Sequence, residues 1–127
     1  MIEPQANLGA GLATGHERTE KPWGAFERYT HNAPSTVKVI TVNPGGSLSL
    51  QYHHARDELW VVLDDGIRVD LEGATLHPKP GEKLYIPRGS VHRLASATDR
   101  PARILEISFG HFDEGDIVRL EDVYGRL

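Results

Sequence analysis

A succession of short β-favouring runs, interrupted every few positions by Gly, Pro and Asp, is the feature that most constrains how this chain folds. Within the runs, apolar residues follow the two-residue period of a strand, and helical periodicity is weak throughout. So many strands in a short chain predict an all-β sandwich or barrel. The best strand candidates are residues 37–42, 47–52, 59–63, 67–71, 83–86, 91–94 and 103–109.

Turn residues and the chain ends complete the prediction of the fold. The run 43–46, Asn-Pro-Gly-Gly, predicts a chain reversal, and the run 64–66, Asp-Asp-Gly, predicts a hairpin. The tail from Asp116 to Tyr124 is the one stretch that favours a short helix, with Asp116 as its cap. A length of 127 residues suits one compact domain. We assign residues 21–127 to that domain and residues 1–20 to a flexible N-terminal segment.

Composition narrows the class of partner. The net charge of -4 and the pI near 5.9 argue against a basic surface that could bind nucleic acid. No apolar run is long enough to cross a membrane, and the first residues lack the pattern of a secretory signal, so we expect a cytoplasmic protein. Cysteine is absent. Any metal must therefore be held by histidine, carboxylate or amide oxygen.

One predicted strand has an entirely polar face. Ser47, Ser49, Gln51 and His53 alternate with apolar neighbours and therefore share one side of the strand. Such a face can simply be wetted at the outside of a sheet. It can also line a polar pocket, and the residues that follow favour this second interpretation.

Two spaced motifs run through the middle of the chain. They read Gly45-x5-Gln51-x-His53-x4-Glu58, followed by Gly66, and Gly81-x5-Pro87-x-Gly89-x2-His92. The first resembles the first cupin motif, with Gln51 in place of a histidine, and the second resembles the second cupin motif, with Ser96 in place of its terminal asparagine. The resemblance implies a cupin fold, which is a double-stranded β-helix or jelly-roll barrel. It also implies a metal pocket built from Gln51, His53, Glu58 and His92.

The spacing of the four candidate ligands has a physical basis. Gln51 and His53 lie two apart on one strand, so both side chains project to the same side, whereas His54 points to the opposite side. Two imidazoles, one carboxylate and one amide suit zinc best but also accept manganese, cobalt, nickel or iron. The remaining histidines have no supporting spacing and are expected to be solvent-exposed: His16, His31, His77 and His111.

Beyond these motifs, the chain from about residue 21 to residue 126 resembles the cupin domain of type II phosphomannose isomerases. The matching stretches are residues 21–24 (KPWG), 37–38, 48–54 (LSLQYHH), 58–62, 85–94 and 116–126. In that family the cupin often accompanies a mannose-1-phosphate guanylyltransferase domain. No Gly-rich nucleotide-binding start is found here, so we interpret the chain as a stand-alone cupin domain.

This resemblance implies a reaction and a set of roles. The family interconverts mannose 6-phosphate and fructose 6-phosphate through a cis-enediol, with the metal stabilising the enediolate. Glu106 is then the candidate base, and Arg119 and Lys38 are candidates for binding phosphate or enediolate, although each of the three could equally form an ordinary ion pair. Trp60, together with Trp23, could form a sugar-stacking wall or pack in the core.

Some positions depart from the family pattern and leave other functions open. Ala55 and Leu59 stand where the family commonly has histidine, and Val39 stands where it commonly has a basic residue. A non-catalytic cupin that binds a sugar or small polar ligand is the first alternative, and a metal-dependent cupin oxygenase is the second. We also predict a homodimer, because cupin sheets of this size often pair their edge strands with a second copy.

Overall fold

The computed structural model describes residues 16–127, and within that range every regular element is a strand. None of these residues forms a helix long and apolar enough to cross a membrane. The eleven strands are β1 (Glu17–Lys21), β2 (Gly24–Arg28), β3 (Ser35–Val42), β4 (Leu50–Tyr52), β5 (Asp57–Val62), β6 (Ile67–Leu71), β7 (Ala74–Leu76), β8 (Lys83–Ile86), β9 (His92–Ser96), β10 (Ala102–Phe109) and β11 (Val118–Glu121).

From β3 onward the chain alternates between two antiparallel sheets. One sheet has the order β3-β10-β5-β8 and the other has the order β11-β4-β9-β6-β7, while β1 and β2 form a separate hairpin. Apart from the β6–β7 hairpin, each strand is followed by a strand of the opposite sheet. This winding is that of the double-stranded β-helix, so the predicted all-β cupin fold is confirmed.

Side chains that point between the sheets divide the interior into an apolar end and a polar end. Along β5 the inward residues run from Glu58 through Trp60 to Val62, and β10 places Ser108 opposite Glu58 and Ile104 opposite Val62. The apolar end is the main core, and burying each of its large side chains stabilises the fold by roughly 1.5–3 kcal/mol. Its buried residues are Val42, Trp60, Val62, Ile67, Val69, Leu84, Ile86, Leu94, Ala102 and Ile104.

A second, smaller apolar cluster lies on the opposite face of the β10 and β5 strands. Leu59 and Ile107 are buried there against Tyr29, which follows β2. His16 stacks on the Tyr29 ring with 5.2 Å between ring centroids and lies 3.4 Å from the Glu27 carboxylate. The expectation that His16 is exposed is therefore wrong, because the β1–β2 hairpin brings it into this cluster.

The C-terminal helix predicted over residues 116–124 is wrong. The tail instead forms β11, which pairs antiparallel with the short strand β4, with a register shift between Arg119 and Glu121. A helix would leave that edge of β4 without backbone partners, whereas a strand supplies them.

Other differences concern pairing and boundaries. The run 64–66 does turn the chain, but β5 and β6 belong to different sheets, so the predicted hairpin is wrong. The reversal predicted at 43–46 is confirmed, since the Gly46 N–H donates to the Asn43 carbonyl at 2.8 Å and Gly45 has a φ of 68°. Strand β1 takes up the last four residues of the segment predicted to be flexible, and the part of that segment before residue 16 lies outside the described residues.

Candidate metal centre

Three side chains from separate stretches meet at the polar end of the barrel. His53 follows β4, Glu58 lies on β5 and His92 begins β9, and one potential ligand atom of each lies within 4.8 Å of the others. All three residues are only 1–2% exposed. The motif spacing therefore corresponds to one buried cluster of nitrogen and oxygen donors, drawn from both sheets.

Backbone carbonyls orient the two imidazoles. His53 Nδ1 donates to the Asp116 carbonyl at 2.6 Å, and His92 Nδ1 donates to the Ser90 carbonyl at 2.9 Å. A carbonyl can only accept, so the proton is on Nδ1 and the Nε2 lone pair faces the cluster. Second-shell contacts of this kind orient histidine ligands in metal sites.

Burial keeps both rings in the form that binds a metal. It lowers the pKa of His92 from its ordinary 6.5 to about 4, and it also lowers the pKa of His53. Both imidazoles are therefore neutral at neutral pH, as coordination requires. His92 Nε2 is buried and has no hydrogen-bond partner among residues 16–127, which leaves a lone pair aimed into the cluster.

The carboxylate of Glu58 is held by its own neighbours on the chain. Its Oε1 accepts a hydrogen bond from the Trp60 indole at 3.0 Å, and its Oε2 accepts one from Arg56 Nε at 2.9 Å. His53 Nε2 is 3.6 Å from Oε2. Tetrahedral ligands at about 2.1 Å from zinc are separated by roughly 3.4 Å, so this pair fits a shared ion.

Gln51 lies beside the cluster. It pairs across the sheet with His92, its Nε2 lies 3.3 Å from His53 Nε2, and its Oε1 accepts from Ser49 Oγ at 2.6 Å. In this orientation the amide nitrogen, which cannot bind a metal, faces the cluster. Turning the amide over would present the oxygen instead, and Ser49 could then accept from the nitrogen, so Gln51 can become a ligand without losing that partner.

The donors present fit a divalent cation. They comprise two neutral imidazoles with inward lone pairs, one buried carboxylate and one amide. All the donor atoms are therefore nitrogen or oxygen, and none is sulfur. This set suits zinc and equally accepts manganese, cobalt, nickel or iron, so it does not select the metal.

A second buried carboxylate stands next to this donor set. Burial, and then the neighbouring Glu58 charge, raise the pKa of Glu106 to about 7, while Lys38 opposes the shift. Lys38 Nζ lies 3.6 Å from Glu106 Oε1, as expected from their direct pairing between β3 and β10. The structure thus brings two of the three predicted catalytic residues together beside the metal cluster.

Arg119 is the third predicted catalytic residue. It lies on β11 in register with Gln51 of β4, so the two side chains lie on the same side of the sheet. It is half-buried, and its buried Nε has no acceptor within hydrogen-bond distance in the described range. Within residues 16–127, Arg119 forms no hydrogen bond or ion pair with Lys38 or Glu106.

The assignment of Trp60 as a substrate contact needs correction. The indole is 2% exposed, its N–H is committed to Glu58, and the ring meets His92 edge-on at 5.6 Å. A sugar has no face of this ring to stack on. Trp60 belongs to the core and supports two of the metal ligands.

Sequence reasoning missed two residues that shape the centre. The first is Arg56, which contacts Glu58 and His53. The two-residue period of a strand could have indicated it, because Arg56, Glu58 and Trp60 alternate along the chain and share one face. Asp116 holds His53 through its carbonyl, and its carboxylate accepts the backbone N–H groups of His54 and Ala55 at 2.8 and 3.0 Å. No local pattern could have linked residues more than sixty positions apart.

The segment of residues 110–116, here called the 110–116 loop, is anchored to the metal centre. The Phe112 ring receives Arg56 at 4.4 Å and Lys38 at 4.7 Å, and the Asp113 carbonyl accepts from Arg56 Nη1 at 3.1 Å. The other histidines lie apart from the centre: His54 packs edge-on to Tyr52, and His31, His77 and His111 are exposed, as predicted.

Comparison with known proteins was made at the level of sequence and of fold. The family model described as mannose-6-phosphate isomerase C-terminal matches residues 9–122. The xanthan biosynthesis protein XanB of Xanthomonas campestris pv. campestris is 40% identical over 127 residues, covering 99% of this chain and 27% of the relative. The mannose-1-phosphate guanylyltransferase ManC of Salmonella typhimurium is 38% identical over 113 residues, covering 88% and 24%. The chain thus spans about a quarter of these relatives.

A solved structure with the same fold is a Klebsiella pneumoniae protein with a double-stranded β-helix domain. It superposes with a TM-score of 0.60 at 19% identity and covers 72% of this chain and 78% of its own. At that identity the similarity shows the fold alone, and it agrees with the winding described above.

Proposed function

This chain belongs to the mannose-6-phosphate isomerase C-terminal family, and on that premise we propose that it is a metal-dependent isomerase interconverting mannose 6-phosphate and fructose 6-phosphate. The observation that carries the proposal is the convergence of His53, Glu58 and His92 on one point, with the second buried carboxylate, Glu106, beside them. A metal site next to a general base is what an aldose–ketose isomerisation needs.

In the proposed reaction, Glu106 moves the proton. Its carboxylate takes the proton from C2 of open-chain mannose 6-phosphate, giving the cis-enediol, and returns it to C1, while the O2 hydroxyl proton passes to O1. Lys38, 3.6 Å away, favours the ionised form of Glu106 that the first step requires. A divalent ion held by His53, Glu58, His92 and the turned amide of Gln51 would supply a Lewis acid for the negative charge on the sugar oxygens.

The charged ends of the substrate need cations. We assign the phosphate to Arg119, because its half-buried guanidinium has an unused Nε and the planar fork suits phosphate oxygens. Lys38 then stabilises negative charge at the C1–C2 end of the sugar, since it lies next to Glu106.

Access sets a condition on this function. The three metal-cluster residues are 1–2% exposed, and the 110–116 loop is bound to His53 and Arg56. We propose that a phosphosugar reaches them when this loop moves aside.

A non-catalytic role in binding a sugar is the second candidate. The same burial favours it, because a covered centre can be structural while a ligand binds at the outer rim. Turnover distinguishes the two functions.

The relatives suggest a biological setting. XanB is named for xanthan biosynthesis and ManC for mannose-1-phosphate guanylylation. We propose that this chain supplies mannose phosphates for polysaccharide synthesis. Zinc as the metal, cytoplasmic residence and the homodimer stay predictions.

The test is a coupled assay of fructose 6-phosphate formation from mannose 6-phosphate, with the protein loaded in turn with zinc, manganese, cobalt, nickel and iron. His53→Ala removes a ligand and should abolish both metal binding and turnover. Glu106→Gln should retain the metal but lose turnover and lose deuterium exchange from solvent into the sugar. The isomerase proposal fails if wild type and His53→Ala give equal signals, or if neither gives one.

A further inference from the structure

Arg56 lies among the metal donors. It is 6% exposed, its Nε donates to Glu58 Oε2 at 2.9 Å, and its Nη2 is 3.4 Å from His53 Nε2. His53 Nε2 is the ring nitrogen whose lone pair faces the cluster, and Glu58 Oε2 is the carboxylate oxygen 3.6 Å from it, so these two atoms are suited to share an ion. A guanidinium is protonated at all physiological pH values, so the positive charge is permanent.

The Arg56 guanidinium and a metal ion would bind to the same two atoms of His53 and Glu58. An ion shared by His53 Nε2 and Glu58 Oε2 has to lie between two atoms that are 3.6 Å apart, about 2.1 Å from each. Arg56 already directs N–H groups at both of them. A metal ion bound to these atoms would therefore lie next to the guanidinium, and two neighbouring cations in a buried site repel each other strongly.

The burial of Glu58 explains why the positively charged Arg56 side chain lies beside it. An ionised carboxylate that is 1% exposed needs a compensating charge, and the Trp60 indole supplies only a neutral donor. Arg56 can supply the charge, and so can a metal ion.

Arg56 also has contacts that do not depend on Glu58. Its guanidinium lies over the Phe112 ring at 4.4 Å and donates to the Asp113 carbonyl at 3.1 Å. These contacts give the side chain a place to stay when Glu58 is taken by another cation.

We propose that Arg56 is an internal competitor of the metal: it neutralises Glu58 and is displaced from Oε2 when a divalent ion binds. The inference rests on the metal site of the proposed function but not on turnover. It predicts that metal affinity is held below what the donors alone would give.

The first test compares the zinc dissociation constants of wild type, Arg56→Met and Lys38→Met by chelator competition. Lys38 is the matched control, because it is also a cation beside a buried carboxylate and over Phe112, but it touches none of the metal ligands. We expect Arg56→Met to bind zinc about tenfold more tightly and Lys38→Met to change by less than about threefold. Unchanged or weaker binding by Arg56→Met overturns the inference, since Arg56 would then position Glu58 for the metal.

A second measurement needs only the wild-type protein and stands even if Arg56→Met does not fold. In the chelator-treated protein the Arg56 Nε–H should give a protected NMR resonance, because it is hydrogen-bonded and buried. Saturating zinc should shift this resonance and speed its exchange with solvent. A resonance that keeps its shift and protection overturns the inference.

The outcomes separate this inference from the isomerase proposal. Tighter zinc binding by Arg56→Met without turnover in any variant supports the inference and refutes the isomerase. Turnover with unchanged zinc affinity does the reverse. If zinc binding by neither wild type nor Arg56→Met depends on His53, both fail.

Discussion

Replacing Trp60 with phenylalanine tests the view that this indole supports the metal centre from within the core. The substitution removes the N–H that donates to Glu58 Oε1 at 3.0 Å and leaves that oxygen without this donor in a site where both residues are at most 2% exposed. A hydrogen bond to a charged group contributes about 1.5–3 kcal/mol, and the lost ring volume adds roughly 1–2 kcal/mol. We therefore expect a decrease of about 2.5–5 kcal/mol in the free energy of unfolding.

A double-mutant cycle separates the hydrogen bond from the cavity. Urea unfolding of wild type, Trp60→Phe, Glu58→Met and the double variant, all with chelator present, should give a coupling energy of about 2 kcal/mol, because neither single variant keeps this hydrogen bond. Trp23→Phe is the matched control, because Trp23 is 73% exposed and should change stability by less than about 0.5 kcal/mol. A coupling below about 0.5 kcal/mol would refute the reasoning and leave Trp60 as a packing residue only.

Three further predictions concern pH, the 110–116 loop and the proposed base. Burial lowers the pKa of His92 to about 4, so between about pH 4 and 6.5 this residue binds more protons in the unfolded chain than in the folded one, whereas Glu106, with its pKa raised to about 7, does the opposite between about pH 4.5 and 7. In Glu106→Gln, which removes the opposing contribution, stability should fall as the pH drops from about 6.5 to 4, measured by thermal unfolding with chelator present, and a flat profile would contradict the lowered pKa of His92. Asp116→Ala frees the loop that orients His53 and should weaken zinc binding about tenfold in chelator competition; unchanged affinity would contradict this role. Glu106→Gln should lower turnover by at least about a hundredfold with zinc affinity within about threefold, and retained turnover would exclude Glu106 as the base.

Several features of the site could be read from local spacing. Gln51 and His53 lie two apart on a strand and project to the same side, and the same period places Arg56, Glu58 and Trp60 on one face. The motifs also located Glu58 and His92, which meet His53 as expected.

Features that depend on distant partners could not be predicted. The tail carries weak helical propensity, yet it becomes β11 because β4 offers an edge to pair with. The 64–66 turn reverses the chain into the other sheet, since turn residues set a local direction and not a pairing partner. Trp60 is buried because the neighbouring strands β8 and β10 and the apolar side chains of the main core enclose it.

The order of donors along the chain and their alternation on strands were determined by the amino-acid sequence alone, because side-chain direction in a strand depends only on position. Which of those donors are buried, neutral and already paired was decided by the tertiary structure. Burial lowers the His92 pKa, and Asp116 reaches His53 across more than sixty residues. These properties arise from the exclusion of water and from contacts between residues far apart in the sequence, which exist only once the chain has folded.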